Sequence, residues 1–188
     1  MKKRFTLLFL ALCLLCLPLF LGSSQHTWTP QMDNLAHQTE QQFNLPHGLC
    51  KAEALQESNW DPTATREEGG YFNQGSRYST TIATQSAAFL NAHPEYDNTL
   101  AIERAQRSIS FGCFQVMGEN FREMGYDKEN INPTLEEQFY YFGKFVTPIW
   151  KKYHSVAQIA AAYNTGNPNK TGRSYDKNVV KYQQQFSY

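Results

Sequence analysis

The sequence has few cysteines and no residue pattern typical of a metal site. Of its four cysteines, Cys13 and Cys16 lie in an apolar N-terminal run, which leaves Cys50 and Cys113 in the rest of the chain. Two thiols can pair in an oxidising compartment, and a buried cysteine can also serve as a small apolar side chain. The sequence leaves a disulfide between Cys50 and Cys113 open. The five histidines show no HxxxH spacing, so we expect neither a metal nor another cofactor.

The chain also lacks an excess of basic charge. Its 17 basic residues balance 17 acidic ones, but Lys2, Lys3 and Arg4 belong to the N-terminal segment. Without these three, 14 basic residues face 17 acidic ones, a net charge of −3. Nucleic acids and anionic lipids need a basic footprint on the protein that binds them. We therefore expect no nucleic-acid partner, and contact with a membrane only if the N-terminal segment stays attached.

Only one long apolar run is present, and it lies at the N-terminus. Phe5–Leu21 follows three basic residues, is interrupted only by Thr6 and Pro18, and ends at small residues where a signal peptidase can cut. The run is also close to the shortest length that spans a membrane. Residues 1–24 are therefore predicted to form a signal peptide, with an uncleaved anchor as the alternative. Either way, the rest of the chain is expected to be exported to the periplasm or the cell-wall space.

Internal repeats, low-complexity tracts and the period-2 alternation of an extended sheet are all missing. The rest of the chain, residues 30–188, is therefore predicted to be one mainly α-helical domain with at most a small hairpin. The predicted helices cover 31–42, 46–58, 80–92, 99–107, 114–124, a long segment that follows residue 134, 155–164 and 175–186.

Several of these predicted helices carry boundary signals. Pro46 occupies the first turn of the second helix, where proline is well tolerated. Thr134 with Glu137 forms a possible capping box for the long helix, and Ser155 begins the next helix in the same way. Pro148 is expected to bend or end the long helix.

Glu57 is the strongest candidate for acid–base chemistry. The second predicted helix places Cys50, Glu53, Ala54 and Glu57 on neighbouring angular positions. Glu57 falls in the last turn, where apolar surroundings and the negative end of the helix dipole both raise the pKa of a carboxyl group. A carboxyl group that stays protonated near neutral pH can protonate a glycosidic oxygen. Taken alone, a glutamate at this position is more often an exposed residue beside a helix cap.

Three segments in a fixed order change that interpretation. Glu57-Ser58 is followed by Pro62, then by residues 110–117 (SFGCFQVM) and later by residues 162–166 (AYNTG). Together they resemble the soluble type of lytic transglycosylase, a branch of the lysozyme-like superfamily, over roughly residues 45–175. The resemblance implies a mainly helical, lysozyme-like fold and an enzyme that cuts the glycan strands of peptidoglycan.

The resemblance also implies roles for single residues, with Glu57 as the catalytic acid/base. Six others match positions that bind or orient substrate or line the cleft: Ser58, Gln115, Met117, Tyr163, Asn164 and Tyr175. Among these, Tyr163 matches a tyrosine whose hydroxyl orients the catalytic carboxyl. Simpler alternatives remain for some of them, since Gln115 can cap a turn and Tyr163 or Tyr175 can serve in packing.

The chain departs from the family pattern in two places. Gly112-Cys113-Phe114-Gln115 stands where the family usually has Gly-Leu-Met-Gln. Thr171-Gly172 stands where an acidic residue is common, which puts substrate contacts at that end of the cleft in doubt. The long stretch between the first two motifs resembles a subgroup with an extended insertion. Such an insertion can wall the cleft or contact peptide stems, or it can be a surface helical pair without a role.

The resemblance implies a reaction that needs one carboxyl group. Glu57 would protonate the β-1,4 bond between N-acetylmuramic acid (MurNAc) and N-acetylglucosamine (GlcNAc), then accept the proton of the muramyl C6 hydroxyl, which closes a 1,6-anhydro ring. Ordinary glycosidases use two carboxylates. A hydrolysing muramidase is therefore the alternative if a second carboxylate reaches the cleft. The candidates are Asp61, Glu67, Glu68 and Asp127, with Glu67 preferred.

Two further expectations concern partners. A catalytically silent protein that binds the cell wall is a remote alternative, which the intact set of motif residues argues against. Small exported transglycosylases often accompany conjugation or secretion machines or phage tails. Peptidoglycan is thus the expected partner. An association with a conjugation or secretion machine or a phage tail is implied by the resemblance alone.

Overall fold

The computed structural model describes residues 26–68 and 77–187. The predicted signal peptide or anchor, residues 1–24, lies outside this part of the chain. Within the described ranges, no helix combines the length and the apolar composition that crossing a bilayer requires.

The described chain is mainly helical with a small antiparallel sheet, as the sequence predicts. Its helices are α1 (Pro30–Phe43), α2 (Leu49–Ser58), α3 (Arg77–Ala92), α4 (Leu100–Arg107), α5 (Gly118–Glu123), α6 (Leu135–Tyr153), α7 (Val156–Thr165) and α8 (Ser174–Phe186). The strands β1 (Thr65–Glu67), β2 (Ile109–Phe111) and β3 (Val116–Met117) pair in the order β1-β2-β3.

Two helices begin later than predicted, and one helix continues past a proline where it was expected to bend or end. The helix predicted over 46–58 begins only at Leu49, because Gly48 adopts a left-handed conformation with φ 80°. The helix predicted over 114–124 begins at Gly118, because the two preceding residues form β3 and pair with β2. Pro148 does not end α6, which continues to Tyr153.

The carboxylate of Glu40 anchors the start of α2. Glu40 is buried on α1 and accepts hydrogen bonds from the backbone amides of Gly48 (3.1 Å) and Cys50 (3.0 Å). These amides are among the donors that a helix start leaves without a partner in its own helix. An acidic group is favourable at this positive end of the helix dipole. These hydrogen bonds hold the start of α2 against α1, and they thereby help to position the last turn of α2.

The core lies between α2, α6, α7 and the sheet. Its largest fully buried apolar side chains are Leu49, Phe114, Phe121, Phe139, Phe142, Val146, Ile159 and Val179. The central position predicted for α7 is confirmed, because Ile159, Ala160 and Ala161 are almost fully buried. Small side chains on α7 allow α6 and α8 to pack closely on either side of it.

A buried ion network joins α4, in the predicted insertion, to α5, which follows the second motif. The Glu103 carboxylate, fully buried on α4, accepts hydrogen bonds from Arg107 (2.8 Å) and from both Nε (2.9 Å) and an Nη (2.8 Å) of Arg122 on α5. Arg107 also binds Glu119 at 2.9 Å. Buried charges need such partners, since the loss of one partner leaves an uncompensated charge. The network attaches α4 to the segment that carries β3.

Candidate active site

An open cleft of about 380 Å³ lies where α2, the sheet, α7 and the start of α8 meet. Its size falls within the range of small-ligand sites. The lining residues are Gln56, Glu57, Arg66, Glu68, Gln115, Met117, Tyr163, Asn164 and Tyr175. The cleft therefore brings together residues from all three sequence motifs, which are far apart along the chain.

Glu57 lies in the last turn of α2, with Glu53 one turn before it on the same face. The hydroxyl of Tyr175, at the start of α8, contacts both carboxyl groups. Its oxygen is 2.5 Å from Oε1 of Glu57 and 2.8 Å from Oε2 of Glu53. This geometry follows from the close packing of α2 against α8.

Both carboxyl groups hold their protons more tightly than a carboxyl in water. Burial raises the pKa of Glu57, the Tyr175 hydrogen bond and the charge of Arg66 oppose the shift, and the charge of Glu68 adds to it. Burial raises the pKa of Glu53 from 4.5 to about 8, against the hydrogen bond from Tyr175 and together with the charge of Glu57. Glu57 is the one of the two that also faces the cleft, so its proton can reach a bound ligand.

Tyr163 does not make the contact that the resemblance implies for it. Its hydroxyl donates to the backbone carbonyl of Phe114 at 2.6 Å, and Tyr175 makes the contact with Glu57 instead. The reason is that Tyr163 is in the third-last position of α7 and lies over the turn that contains Phe114. Tyr163 still lines the cleft, next to the exposed Asn164.

The amide of Gln115 is occupied by backbone and side-chain partners. Its Nε2 donates to the carbonyls of Gly112 (2.9 Å) and Ala64 (3.2 Å), and its Oε1 accepts from Ser110 at 2.9 Å. Gln115 itself has a left-handed backbone, with φ 51°. The side chain therefore closes the turn between β2 and β3 and joins it to β1, which matches the turn-capping alternative, while it also lines the cleft.

Ser58 connects the end of α2 to the same turn. Its hydroxyl donates to the carbonyl of Cys113 at 2.8 Å and accepts from the amide of Asp61 at 3.0 Å. Ser58 is not among the residues that line the cleft. In the structure it fixes the strand turn against the helix that carries Glu57.

Of the four candidates for a second carboxylate, only Glu68 lines the cleft. Side chains alternate between the two faces along a strand, so Glu68 shares the face of Arg66, and the preferred candidate Glu67 takes the other. Glu67 is exposed and pairs with Ile109 of β2. The Glu68 carboxylate accepts a hydrogen bond from Nε of Arg66 at 2.7 Å.

Cys50 and Cys113 are free thiols, both buried. The disulfide that the sequence left open is therefore not present in the structure. Burial raises the pKa of both thiols, so neither is a reactive thiolate. Within the described ranges, no group of three or more His, Cys, Asp or Glu side chains is placed to hold a metal ion.

Three residues in or beside this cleft are not predicted as functional from the sequence. Gln56 and Arg66 line the cleft, and Glu53 shares a helix face with Glu57. Strand alternation would have separated Glu68 from Glu67, but a three-residue strand is too short to show that period in the sequence. None of the described side chains of the insertion helices, over residues 80–92 of α3 and 100–107 of α4, is among those that line the cleft.

The mainly helical fold with its small antiparallel sheet is consistent with a lysozyme-like muramidase domain. The sequence model of the N-acetylmuramidase family matches residues 95–187, and this match supports a lysozyme-like family that acts on the cell wall. It supports an enzyme that acts on the glycosidic bonds of peptidoglycan. The matched range contains the cleft residues from Gln115 to Tyr175, whereas α2 with Glu57 precedes it. No curated protein and no solved structure matches the chain.

Proposed function

We propose that the protein is a peptidoglycan lytic transglycosylase. It cleaves the β-1,4 bond between MurNAc and GlcNAc, forms 1,6-anhydro-MurNAc, and uses Glu57 as the sole general acid/base. The observation that carries the proposal is the contact between the Tyr175 hydroxyl and the Glu57 carboxyl group at the floor of a cleft lined by all three motifs.

The reaction begins with Glu57 protonated. Glu57 donates its proton to the glycosidic oxygen as the bond to the muramyl anomeric carbon breaks. The muramyl C6 oxygen forms the new bond to that carbon, and its proton passes to the Glu57 carboxylate, which restores the acid. Proton transfer by a well-placed side chain is typically worth about 10²–10⁴ in rate. The Tyr175 hydroxyl stabilises the carboxylate between the two transfers.

A hydrolysing muramidase is the second candidate, and one observation favours it. The Glu68 carboxylate lines the same cleft as Glu57, so a second acidic group is available to activate a water molecule or stabilise a positive sugar. We favour the transglycosylase because Glu68 is bound to Arg66, which offsets its negative charge. Glu67, Asp61 and Asp127 are not among the residues that line the cleft.

The experiment is digestion of purified peptidoglycan in water enriched in heavy oxygen, with mass spectrometry of the fragments. A transglycosylase gives anhydro-muramyl ends without heavy oxygen, because water takes no part in the cut. Reducing muramic acid ends that carry one heavy oxygen for each cut would establish the hydrolase instead. The Glu57→Gln protein, treated in the same way, measures the background of contaminating enzymes.

We further propose that the protein works outside the cytoplasm, in the periplasm or the cell-wall space, because peptidoglycan lies there. A signal peptide over residues 1–24 would deliver it. N-terminal sequencing of the exported protein from both the soluble and the membrane fractions of an expressing cell tests this, and a membrane-bound chain that still begins at Met1 would leave the uncleaved anchor as the answer.

A further inference from the structure

The hydroxyl of Tyr175 has one proton but two carboxyl neighbours. Its oxygen is within hydrogen-bond distance of Oε1 of Glu57 and Oε2 of Glu53. A phenol can donate only one hydrogen bond, although its oxygen can also accept one. Two carboxylates cannot both be satisfied by that single proton. One of the two carboxyl groups must therefore carry a proton of its own and donate it to the Tyr175 oxygen.

Burial identifies Glu53 as the group that keeps this proton. Glu53 has 0% of its surface exposed, whereas Glu57 is partly exposed to the cleft. Oε1 of Glu53 is buried and has no hydrogen-bond partner among the described residues. An ionised carboxylate in such surroundings is costly, because neither solvent nor an opposite charge compensates it. A neutral carboxylic acid is less costly there, because its O–H can donate to the Tyr175 oxygen and only an uncharged carbonyl oxygen is left without a partner.

No positive charge faces Glu53 among the described groups that influence it. On its own helix it faces the Glu57 carboxyl and, one turn earlier, the Cys50 thiol. From α8 it faces the Tyr175 hydroxyl, and from α7 the Tyr163 hydroxyl, which burial keeps protonated by raising its pKa. The acidic Glu40 of α1 lies at the other end of α2, bound to backbone amides. Burial and the charge of Glu57 favour the neutral form of Glu53, and only the hydrogen bond with Tyr175 opposes it.

We propose that Glu53 is a positioning residue for Glu57: as a neutral acid it donates to the Tyr175 oxygen and so directs the Tyr175 O–H at Glu57. The proposal rests on the proposed function of Glu57 as the catalytic acid/base. Glu53 keeps its proton while Glu57 gives up and regains its own. The Tyr175 hydroxyl therefore points at Glu57 in both states of the catalytic carboxyl. If Glu53 loses its proton, it competes for the Tyr175 O–H, and the Glu57 carboxylate loses its donor.

The first test is infrared spectroscopy and needs no activity. The difference spectrum between the wild-type protein and Glu53→Gln is recorded below and above pH 8. We expect the C=O stretch of a neutral carboxylic acid in the wild type below about pH 8 and its loss above that pH. Absence of this band below about pH 8, with a carboxylate band in its place, would overturn the proposal even if the enzyme cleaves peptidoglycan.

The second test is the pH dependence of peptidoglycan cleavage in three proteins. In the wild type the rate should fall with the loss of one proton from Glu57 and fall more steeply above about pH 8, where Glu53 also ionises. Glu53→Gln cannot ionise, and its amide N–H can still donate to Tyr175, so it should keep the parent rate below that pH and lose the steeper phase. Glu53→Met has no donor and cannot ionise, so it should be roughly threefold to tenfold slower than Glu53→Gln at every pH.

A purely structural role for Glu53 gives a different pattern. The alkaline phase would then have the same shape in all three proteins, and Glu53→Met, which is close in size, would match Glu53→Gln in rate. That pattern would overturn the proposal. If the wild type cleaves no peptidoglycan at all, the proposed function fails, and the infrared test still decides whether Glu53 is neutral.

Discussion

Glu53, Glu57 and Glu68 are three carboxyl groups of one region with different surroundings. Glu53 is closed off from solvent, Glu57 faces the cleft with a tyrosine hydroxyl on one oxygen, and Glu68 is bound to an arginine. Because surroundings determine which carboxyl group keeps its proton, these groups can take different roles in one reaction. At the residue scale, Glu57 combines a raised pKa with access to a ligand, whereas Glu53 is not among the residues that line the cleft.

Neutralising Glu68 should shift the alkaline limit of activity to lower pH. The charge of Glu68 raises the pKa of Glu57, and Arg66, which lowers that pKa, would be freed from its partner. Glu57 acts in its protonated form, so a lower pKa means that activity is lost at a lower pH. We expect this shift for Glu68→Gln in a pH–rate profile, and none for the exposed neighbour Glu67→Gln. Equal shifts in both variants would show that Glu68 has no special relation to Glu57.

Removing the Tyr175 hydroxyl should slow the reaction and move the alkaline limit of activity to higher pH. The Tyr175 hydrogen bond lowers the pKa of Glu57, so Tyr175→Phe should keep Glu57 protonated to a higher pH. The carboxylate formed in the reaction loses a donor, and we expect a loss of about tenfold in rate. Tyr163→Phe is the matched control, because that hydroxyl bonds to the Phe114 carbonyl instead. If Tyr163→Phe moves the pH limit and Tyr175→Phe does not, the roles assigned to the two tyrosines are wrong.

At the element scale, the turn between β2 and β3 holds the cleft together. The Oε1 of Gln138 on α6 accepts a hydrogen bond from the backbone amide of Cys113 at 2.9 Å. Its Nε2 donates to the carbonyls of Pro62 (2.9 Å) and Pro133 (3.2 Å). With Ser58 and Gln115, it joins the turn to α2, β1 and α6. Each of these contacts satisfies a backbone group that would otherwise be left unpaired on burial.

Gly112→Ala should destabilise the protein strongly. Gly112 has φ 72°, and a Cβ atom there would lie 2.1 Å from Oε1 of Gln138, so the Gln138 contacts would have to break. We expect a loss of about 3 kcal/mol or more in the free energy of unfolding, measured by urea denaturation. Gly125→Ala is the control, since Gly125 also has a positive φ of 89° but meets nothing within 4 Å. A loss in Gly112→Ala no larger than in the control would mean that the Gln138 contacts contribute little.

The elements also show which signals the sequence carries. The capping box of Thr134 and Glu137 is present, and Ser155 caps α7 with its side chain, because caps depend on residues close in sequence. The helix predicted through Phe114 and Gln115 is wrong because β3 is defined by pairing with β2, a contact between strands that no local pattern reveals. Glu40 caps α2 from another helix, and the sequence gives no sign of that contact.

At the scale of the whole molecule, the cleft depends on parts that are distant along the chain. Glu57 could be proposed from its motif, together with the cleft residues of the second and third motifs. The hydrogen-bond partner of Glu57 could not be predicted from the sequence. Tyr175 rather than Tyr163 contacts Glu57 because α8 packs against α2. The N-acetylmuramidase match covers residues 95–187, so the cleft combines matched elements with the preceding helix that carries the acid.

The burial of Glu53 should make the stability of the whole domain depend on pH. Its pKa is about 8 in the folded protein against 4.5 in its unperturbed state, so the folded chain binds more protons between these values. Raising the pH through this window therefore favours unfolding, by up to about 1.4 kcal/mol per pH unit from this one group. We expect the free energy of unfolding of the wild type, relative to Glu53→Gln, to fall across the window in urea denaturation. A difference that stays constant would mean that Glu53 titrates normally in the folded state.

The central claim is that Glu57 is the acid/base, and the most direct test is the rate at which purified peptidoglycan is solubilised by the wild type and by Glu57→Gln. Glutamine keeps the size of the side chain and an oxygen that can contact Tyr175, but it has no acidic proton to donate to the glycosidic oxygen. We expect a loss of about 10²–10⁴ in rate for Glu57→Gln, with Glu67→Gln close to the parent. Clearance by folded Glu57→Gln at the parent rate would show that Glu57 is not the acid/base.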